Sequence, residues 1–230
     1  MYEKIKSLAK QYYPETVAIR RDLHKYPEQG WLEMRTASLV AKKLEKLGYQ
    51  VLIGKEIMCE EYRMGVPDQE ILESNYQRAI SQGADPYYIK KVKDGFTAVA
   101  GILKNGSGPV VAIRFDMDAL CIEEDDSINH NPGKFGFISC NQGTMHACGH
   151  DGHVAIGLTV AKILSNIKDS IQGTIKLIFQ PAEEGVRGAK SICKSGILKD
   201  VDYIFAGHIW QQEANEDYDI YLGMNETFAT

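Results

Sequence analysis

Ile175-Lys-Leu-Ile-Phe-Gln-Pro-Ala-Glu183-Glu184-Gly185 is the stretch whose reading decides the fold. Its first half is a short apolar run of the length of a buried strand, and it stops at a proline followed by an acidic pair and a glycine. Two other runs end in the same way. Val110-Val-Ala-Ile-Arg-Phe115 leads into Asp116-Met-Asp118, and Tyr203-Ile-Phe-Ala-Gly207 leads into His208. Between and before these runs lie helical patterns. Ala37, Val40, Leu44 and Leu47 recur at three- and four-residue steps, with Gly48 as a stop, and predict a helix over 34–47. Further helices are predicted over 153–164 and 187–194, and further strands over 49–53 and 96–103. Strands alternating with helices specify an α/β fold: a mixed, mostly parallel sheet with flanking helices.

Residues 55–94 read as a helical insertion, with helix-start chemistry at Pro67 and Asp68 and turn signals at Gly83 and Pro86. Asn105-Gly106 is a tight-turn signal between two strands. The 211–219 tail is acidic and polar, and a last strand is predicted over 220–224.

Composition narrows the function classes. The 230 residues carry 31 acidic and 26 basic side chains, a net charge of −5, and 44% apolar residues. That is too acidic for a nucleic-acid footprint and too apolar for a disordered chain. No segment has the run of about 18 apolar residues that a membrane span requires. The first two dozen residues lack the apolar core of a secretory signal. Five cysteines at irregular spacing argue against a disulfide framework and for a reducing, cytoplasmic setting.

In an open α/β sheet, ligands gather at the carboxyl ends of the strands. Neighbouring strands would therefore bring Asp116, Asp118, Glu183, Glu184 and His208 together. Met145-His-Ala-Cys-Gly-His-Asp-Gly-His153 adds Cys148 and His150, two residues apart on one loop. Cys148, His150, Glu184 and His208 form a mixed sulfur, nitrogen and oxygen set. It suits zinc, manganese, nickel or cobalt and disfavours calcium and magnesium. Adjacent carboxylates on an extended segment would point apart, leaving one of Glu183 and Glu184 to ligate and the other to face a reacting water. Asp118 and Asp151 suit a supporting role, orienting imidazoles through their ring N–H groups. His146 and His153 flank the ligands and either hold the loop or cap the helix; His24 and His130 read as core or surface residues away from the cluster. Taken singly, a Glu-Glu pair is a solvated turn and a lone cysteine a small buried hydrophobe; the combination is what carries the metal reading.

The motifs MHACGHDGH (145–153), IFQPAEEG (178–185) and Gly-His-Ile-Trp (207–210) resemble the M20 metallopeptidase clan. Its amidohydrolase group, which includes hippurate, N-acyl-amino-acid and indole-acetyl-amino-acid hydrolases, is the branch they match. RRDLHKYPEQGWLEMRTASLVAKKLEKLGY (20–49) and VVAIRFDMDAL (110–120) fit the same pattern, so the resemblance runs from about residue 18 to the end. Within the group, segments 55–85 and 139–158 resemble the hydrolases of p-aminobenzoyl-glutamate.

The resemblance implies a zinc-peptidase-like catalytic domain and two divalent metal ions, manganese or zinc, on Cys148, His150, Glu184 and His208. It implies Glu183 as general base and then acid, in cleavage of an amide between an acyl or aryl group and an amino acid. Asp116 and Asp118 stand where related peptidases carry a His-x-Asp pair, and take supporting catalytic roles. Members of the family are close to twice this length. Residues 1–230 are therefore expected to be the N-terminal portion of the catalytic domain, without the lid or dimerisation domain and without a C-terminal metal-binding histidine. A small-molecule N-acyl amino acid is the expected partner, together with a second copy or a chain supplying the missing part. The alternative is a catalytically incomplete, metal-holding or partner-binding module. Arg187 is either a local partner for a substrate carboxylate or a surface residue at a helix start.

Overall fold

A computed structural model describes residues 1–127 and 129–209. The expected acidic tail and last strand lie outside them. Helix α1 (Tyr2–Lys25) is followed by α2 (Met34–Lys46), β1 (Gln50–Ile53), α3 (Gln69–Ser81), β2 (Val99–Asn105), β3 (Val110–Asp116), the single turn α4 (Asn131–Lys134), α5 (His150–Asn166), β4 (Gly173–Gln180), α6 (Ala189–Ser195) and β5 (Tyr203–Ala206). The architecture is α/β, with a five-stranded mixed sheet in the order β1-β2-β4-β3-β5. β3 pairs in parallel with both β4 and β5, while β2 pairs antiparallel with β1 and β4.

The expected 55–94 insertion holds one α-helix, α3, and short 3₁₀ turns. The Asn105-Gly106 turn does not close a hairpin, because β4 lies between β2 and β3. The local signal names a turn, but which strand fills the gap is settled by long-range pairing.

Helix α2 buries Ala37, Val40, Ala41 and Leu44 and ends as its sequence requires. Gly48 takes φ 83°, and the Tyr49 amide bonds back to the Leu44 carbonyl at 3.1 Å, the closing bond of a Schellman motif. At its other end the buried Glu28 carboxylate accepts the amides of Arg35 and Thr36 at 3.1 and 2.8 Å, and Arg78 of α3 at 2.9 Å. One carboxylate thus caps α2 and ties α3 to it. Helix α5 lies close against the sheet because position 157 is glycine: a Cβ there would come within 2.9 Å of Phe115 and 2.8 Å of Phe179. Lys176 sits within the apolar run of β4, and its ammonium is matched by the Ile197 carbonyl at 2.7 Å and by Asp200. A buried charge is tolerated only when so paired.

Candidate metal centre and catalytic residues

The parallel strands β3, β4 and β5 end on one edge of the sheet, in register at Asp116 with Gln180 and at Arg114 with Ala206. The chain segments that follow carry Asp118, the Glu183-Glu184 pair and His208 to that edge. Two isolated bridges complete it: Gln29 with Ala119, and Leu120 with Met145. The second lays the 145–149 loop beside the end of β3, and α5 starts from that loop with Gly149 as its left-handed N-cap.

Asp118 is the hub of the site and is fully buried. Its carboxylate accepts the Glu183 amide at 3.0 Å and the Glu184 amide at 2.9 Å. Its carbonyl accepts from His150 Nδ1 at 2.8 Å. Asp118 thus meets the imidazole through its carbonyl, with its carboxylate also 3.4 Å from Nδ1, and the same carboxylate holds the acidic turn. Because a carbonyl only accepts, Nδ1 of His150 carries a proton, which leaves Nε2 as the nitrogen that can face a cation.

The acidic pair also departs from expectation. Residues 181–187 form a turn in which Ala182 and Val186 adopt φ 47° and 58°, so the segment is not extended. Both carboxylates converge, each 3.9 Å from His150 Nε2. They differ in their neighbours. Glu184, with Cys148 and His150, offers one donor atom to a group lying within 4.8 Å of one another, and Glu183 stands outside it. His150 Nε2 and Glu184 Oε1 are buried without a hydrogen-bond partner. Two buried polar atoms left without partners are costly, and a cation between them would satisfy both. Cys148 Sγ lies 3.4 Å from Nε2 of His208, whose Nδ1 donates to the Ile209 carbonyl at 2.7 Å. Burial, then Glu184, Glu183 and Asp116, push the Cys148 thiol up to about 12. A thiol among carboxylates ionises readily only beside a metal ion. The donor set, the orphaned atoms and the local negative charge all fit divalent cations.

Asp116, His150, His153 and His208 form a neighbouring group of donor atoms within 4.8 Å of one another. Asp116 pairs with Arg114 Nη1 at 2.7 Å and with His153 Nδ1. Burial works against its ionisation, but the His153 hydrogen bond and the charge of Arg114 hold it at about 2. His153 Nε2 accepts the Ile209 amide at 2.8 Å, so both its ring nitrogens are engaged. His153 thus links Asp116 to the backbone next to His208. Its spacing of three from His150, on the first turn of a helix, was the signal that the two share a face.

Asp151 serves neither His150 nor His208. It pairs with His24 Nδ1 and Arg20 Nε, both at 2.8 Å. His146 is buried with neither ring nitrogen bonded, and burial lowers it to about 4, which keeps the ring neutral. Arg187 donates from Nε to the Glu184 carbonyl at 3.0 Å and from Nη1 to the Gly65 carbonyl at 3.4 Å. It ties the 55–94 segment to the acidic turn, a role the sequence reading missed.

Behind the turn, Glu33 accepts the Ala182 amide at 2.8 Å and the Thr97 hydroxyl at 2.7 Å. Burial, then the charge of Asp118, push its carboxyl from 4.5 up to about 8. The folded chain keeps a proton that the unfolded chain releases. This contribution is therefore present below pH 4.5 and is lost as pH rises to about 8. The metal-free chain should lose stability across that window by up to about 1.4 kcal/mol per pH unit. Glu33→Gln, which retains an acceptor for Ala182, should flatten the slope in urea titrations.

The family model of "Peptidase family M20/M25/M40" matches residues 112–224, a span that takes in every residue of the centre. Over 208 residues the chain is 47% identical to one of the subunits of the p-aminobenzoyl-glutamate hydrolase of Escherichia coli, covering 90% of this chain and 48% of that protein. Residues 112–224 form a peptidase M20 domain.

Two solved M20-like structures share its fold. An aminobenzoyl-glutamate utilization protein from Klebsiella pneumoniae superposes with a TM-score of 0.74 at 39% identity, covering 88% of this chain and 44% of its own. A dinuclear metal-binding peptidase of the M20 family from Bacillus subtilis gives 0.63 at 30% identity, covering 86% and 44%. The chain thus spans about half the length of the relatives it matches. None of the described helices is long and apolar enough to cross a membrane.

Proposed function

We propose that this chain supplies the metal-binding and general-base portion of a metal-dependent amidohydrolase. The observation that carries this reading is the convergence of Cys148, His150, Glu184 and His208 around partnerless Nε2 and Oε1 atoms, with the Glu183 carboxylate beside them. Cys148, His150, Glu184 and His208 would hold two divalent ions, manganese or zinc, in keeping with the dinuclear B. subtilis relative. When bound, the ions polarise the amide carbonyl and make water a stronger nucleophile at neutral pH.

The chain's own residues do the rest. Asp118 holds the turn so that Glu183 faces the reacting atoms. Glu183 removes a proton from the attacking water and returns it to the departing amine as the tetrahedral intermediate collapses. Burial first, then the charges of Asp116 and Asp118, raise the Glu183 carboxyl, with Arg114 opposing. A carboxylate so raised is a better base and a better acid near neutrality. Asp116 fixes His153 and, through it, the backbone that carries His208.

The proposed substrate is an N-acyl amino acid, p-aminobenzoyl-glutamate in particular, from the naming of the E. coli and K. pneumoniae relatives. We place the enzyme in the cytoplasm and in folate breakdown, since that substrate is a folate fragment. Residues 1–230 are read as the N-terminal part of the catalytic domain, with the remaining elements supplied by further chain or by a second polypeptide; the E. coli relative is itself named as one subunit of its hydrolase. The test is amide hydrolysis by the chain, alone and combined with a C-terminal half from the E. coli relative, with Mn²⁺ or Zn²⁺. p-Aminobenzoyl-glutamate should be cleaved in preference to hippurate, and a chelator should abolish the reaction. Equal rates on both substrates would overturn the substrate assignment, and activity unaffected by chelation the metal mechanism.

A further inference from the structure

A second cluster of metal-ligating side chains lies outside the site described above. His24 of α1, Glu124 and His130 each offer one donor atom to a group lying within 4.8 Å of one another. None of the three is a member of the Cys148 centre. The His24 and Glu124 side chains are 2% and 3% exposed, and His130 closes the outer side at 25%.

The bonds gather the three side chains at one carboxylate oxygen. Nδ1 of His24 faces the Asp151 carboxylate at 2.8 Å. A carboxylate only accepts, so Nδ1 carries a proton. Burial opposes it, but the hydrogen bonds to Asp151 and Glu124 raise the His24 ring, so Nε2 also carries a proton toward Glu124 Oε1, 2.8 Å away. A divalent cation bound here would replace that proton, since a ligating imidazole must be deprotonated. His130 Nε2 reaches the same oxygen at 2.8 Å, so two imidazole nitrogens meet at one carboxylate oxygen. The other Glu124 oxygen is fixed by the Ser139 amide at 2.6 Å, and Asp151 by Arg20 and the Gly152 amide, both at 2.8 Å. Carboxylate to histidine to metal is the arrangement that orients a ligating imidazole and raises its basicity.

An entry path adjoins the cluster. Glu124 and Ser139 also line a cavity of about 320 Å³ whose wall carries Glu123, Asp125 and Asp126. Four carboxylates around such a space concentrate divalent cations at its mouth.

We infer that His24, Glu124 and His130 form a second metal site that takes Zn²⁺, with solvent from the acidic cavity in the fourth position. Two imidazoles and one carboxylate with an open position are a zinc ligand set, borderline in softness and unsuited to calcium. The ion would pin the 121–144 loop to α1 and, through Asp151, to the first turn of α5.

Cobalt separates the two sites within one protein. In the metal-free chain titrated with Co²⁺, the Cys148 centre reports through a thiolate-to-cobalt charge-transfer band, whereas a nitrogen and oxygen site contributes only visible d–d bands. His130→Ala and Glu124→Gln should each bind one equivalent of Co²⁺ fewer and lose the matching d–d absorption, with the charge-transfer band intact. Zn²⁺ added in excess should displace the same equivalent from the unaltered chain. If both variants bind as much Co²⁺ as the unaltered chain, with the same visible spectrum, protons alone hold the cluster together and the site is refuted. The charge-transfer band tests the Cys148 centre separately, so failure of one reading leaves the other standing.

Discussion

Glu183→Ala is expected to lower turnover by about 10²- to 10⁴-fold, the range for loss of a positioned general base, while the metal content per chain stays unchanged. Glu183 stands outside the group formed by Cys148, His150 and Glu184, so its removal deletes no ligand. Its carboxylate is 3.9 Å from His150 Nε2 and 31% exposed, near enough to act on a water held beside the ions. The base must be ionised to act. Because burial and the neighbouring carboxylates raise its carboxyl, kcat/KM should fall as pH drops through a value above the ordinary glutamate range. In Glu183→Ala that acid limb should disappear from the residual rate. Steady-state hydrolysis alongside metal analysis decides the matter. A variant that loses its metal, or that keeps its activity, would show that the roles of Glu183 and Glu184 are assigned the wrong way round.

Asp118→Ala should have the next largest effect, although Asp118 is placed in no ligand group. The substitution strips acceptors from the Glu183 and Glu184 amides, each costing about 1–3 kcal/mol if left unsatisfied. The turn also holds Ala182 and Val186 at positive φ, a conformation that side chains other than glycine keep only when the surroundings impose it. Released, it should relax and carry Glu184 away from Cys148. Metal affinity is expected to fall by about 10- to 100-fold, the usual consequence of losing an outer support, with turnover falling alongside. Asp118→Asn keeps one acceptor and sets an amide NH₂ against the other backbone N–H, so it should fall between the two. Competition against a chromophoric chelator measures this directly. An Asp118→Ala affinity within twofold of the unaltered chain would dismiss the hub.

Much of this was legible in sequence because it depends on short-range pattern. The helix over 34–47, its glycine stop and the strand runs at 110–115 and 203–206 correspond to α2, β3 and β5. Boundaries shifted where local signals were mixed. The helix expected from 153 begins at His150, because Gly149 takes the left-handed cap and lets His150 itself open the helix. His24, read as a core or surface residue away from the Cys148 cluster, lies in a buried network with Asp151 and Glu124. Those partners are 127 and 100 residues away in the chain, and no periodicity reports contacts at such range.

By itself the sequence determined which residue types follow which strands: Asp116 and Asp118 after β3, the glutamates after β4, His208 after β5, and Cys148 and His150 before α5. Those assignments follow from apolar runs and turn chemistry, which act over a few residues. Only the tertiary structure decided where the side chains point. The two glutamates converge because Asp118, 65 and 66 residues away, takes both their amides and Ala182 turns left-handed. Side-chain direction in a loop is set by backbone dihedrals and distant hydrogen bonds, and neither is written in the local alternation of residues.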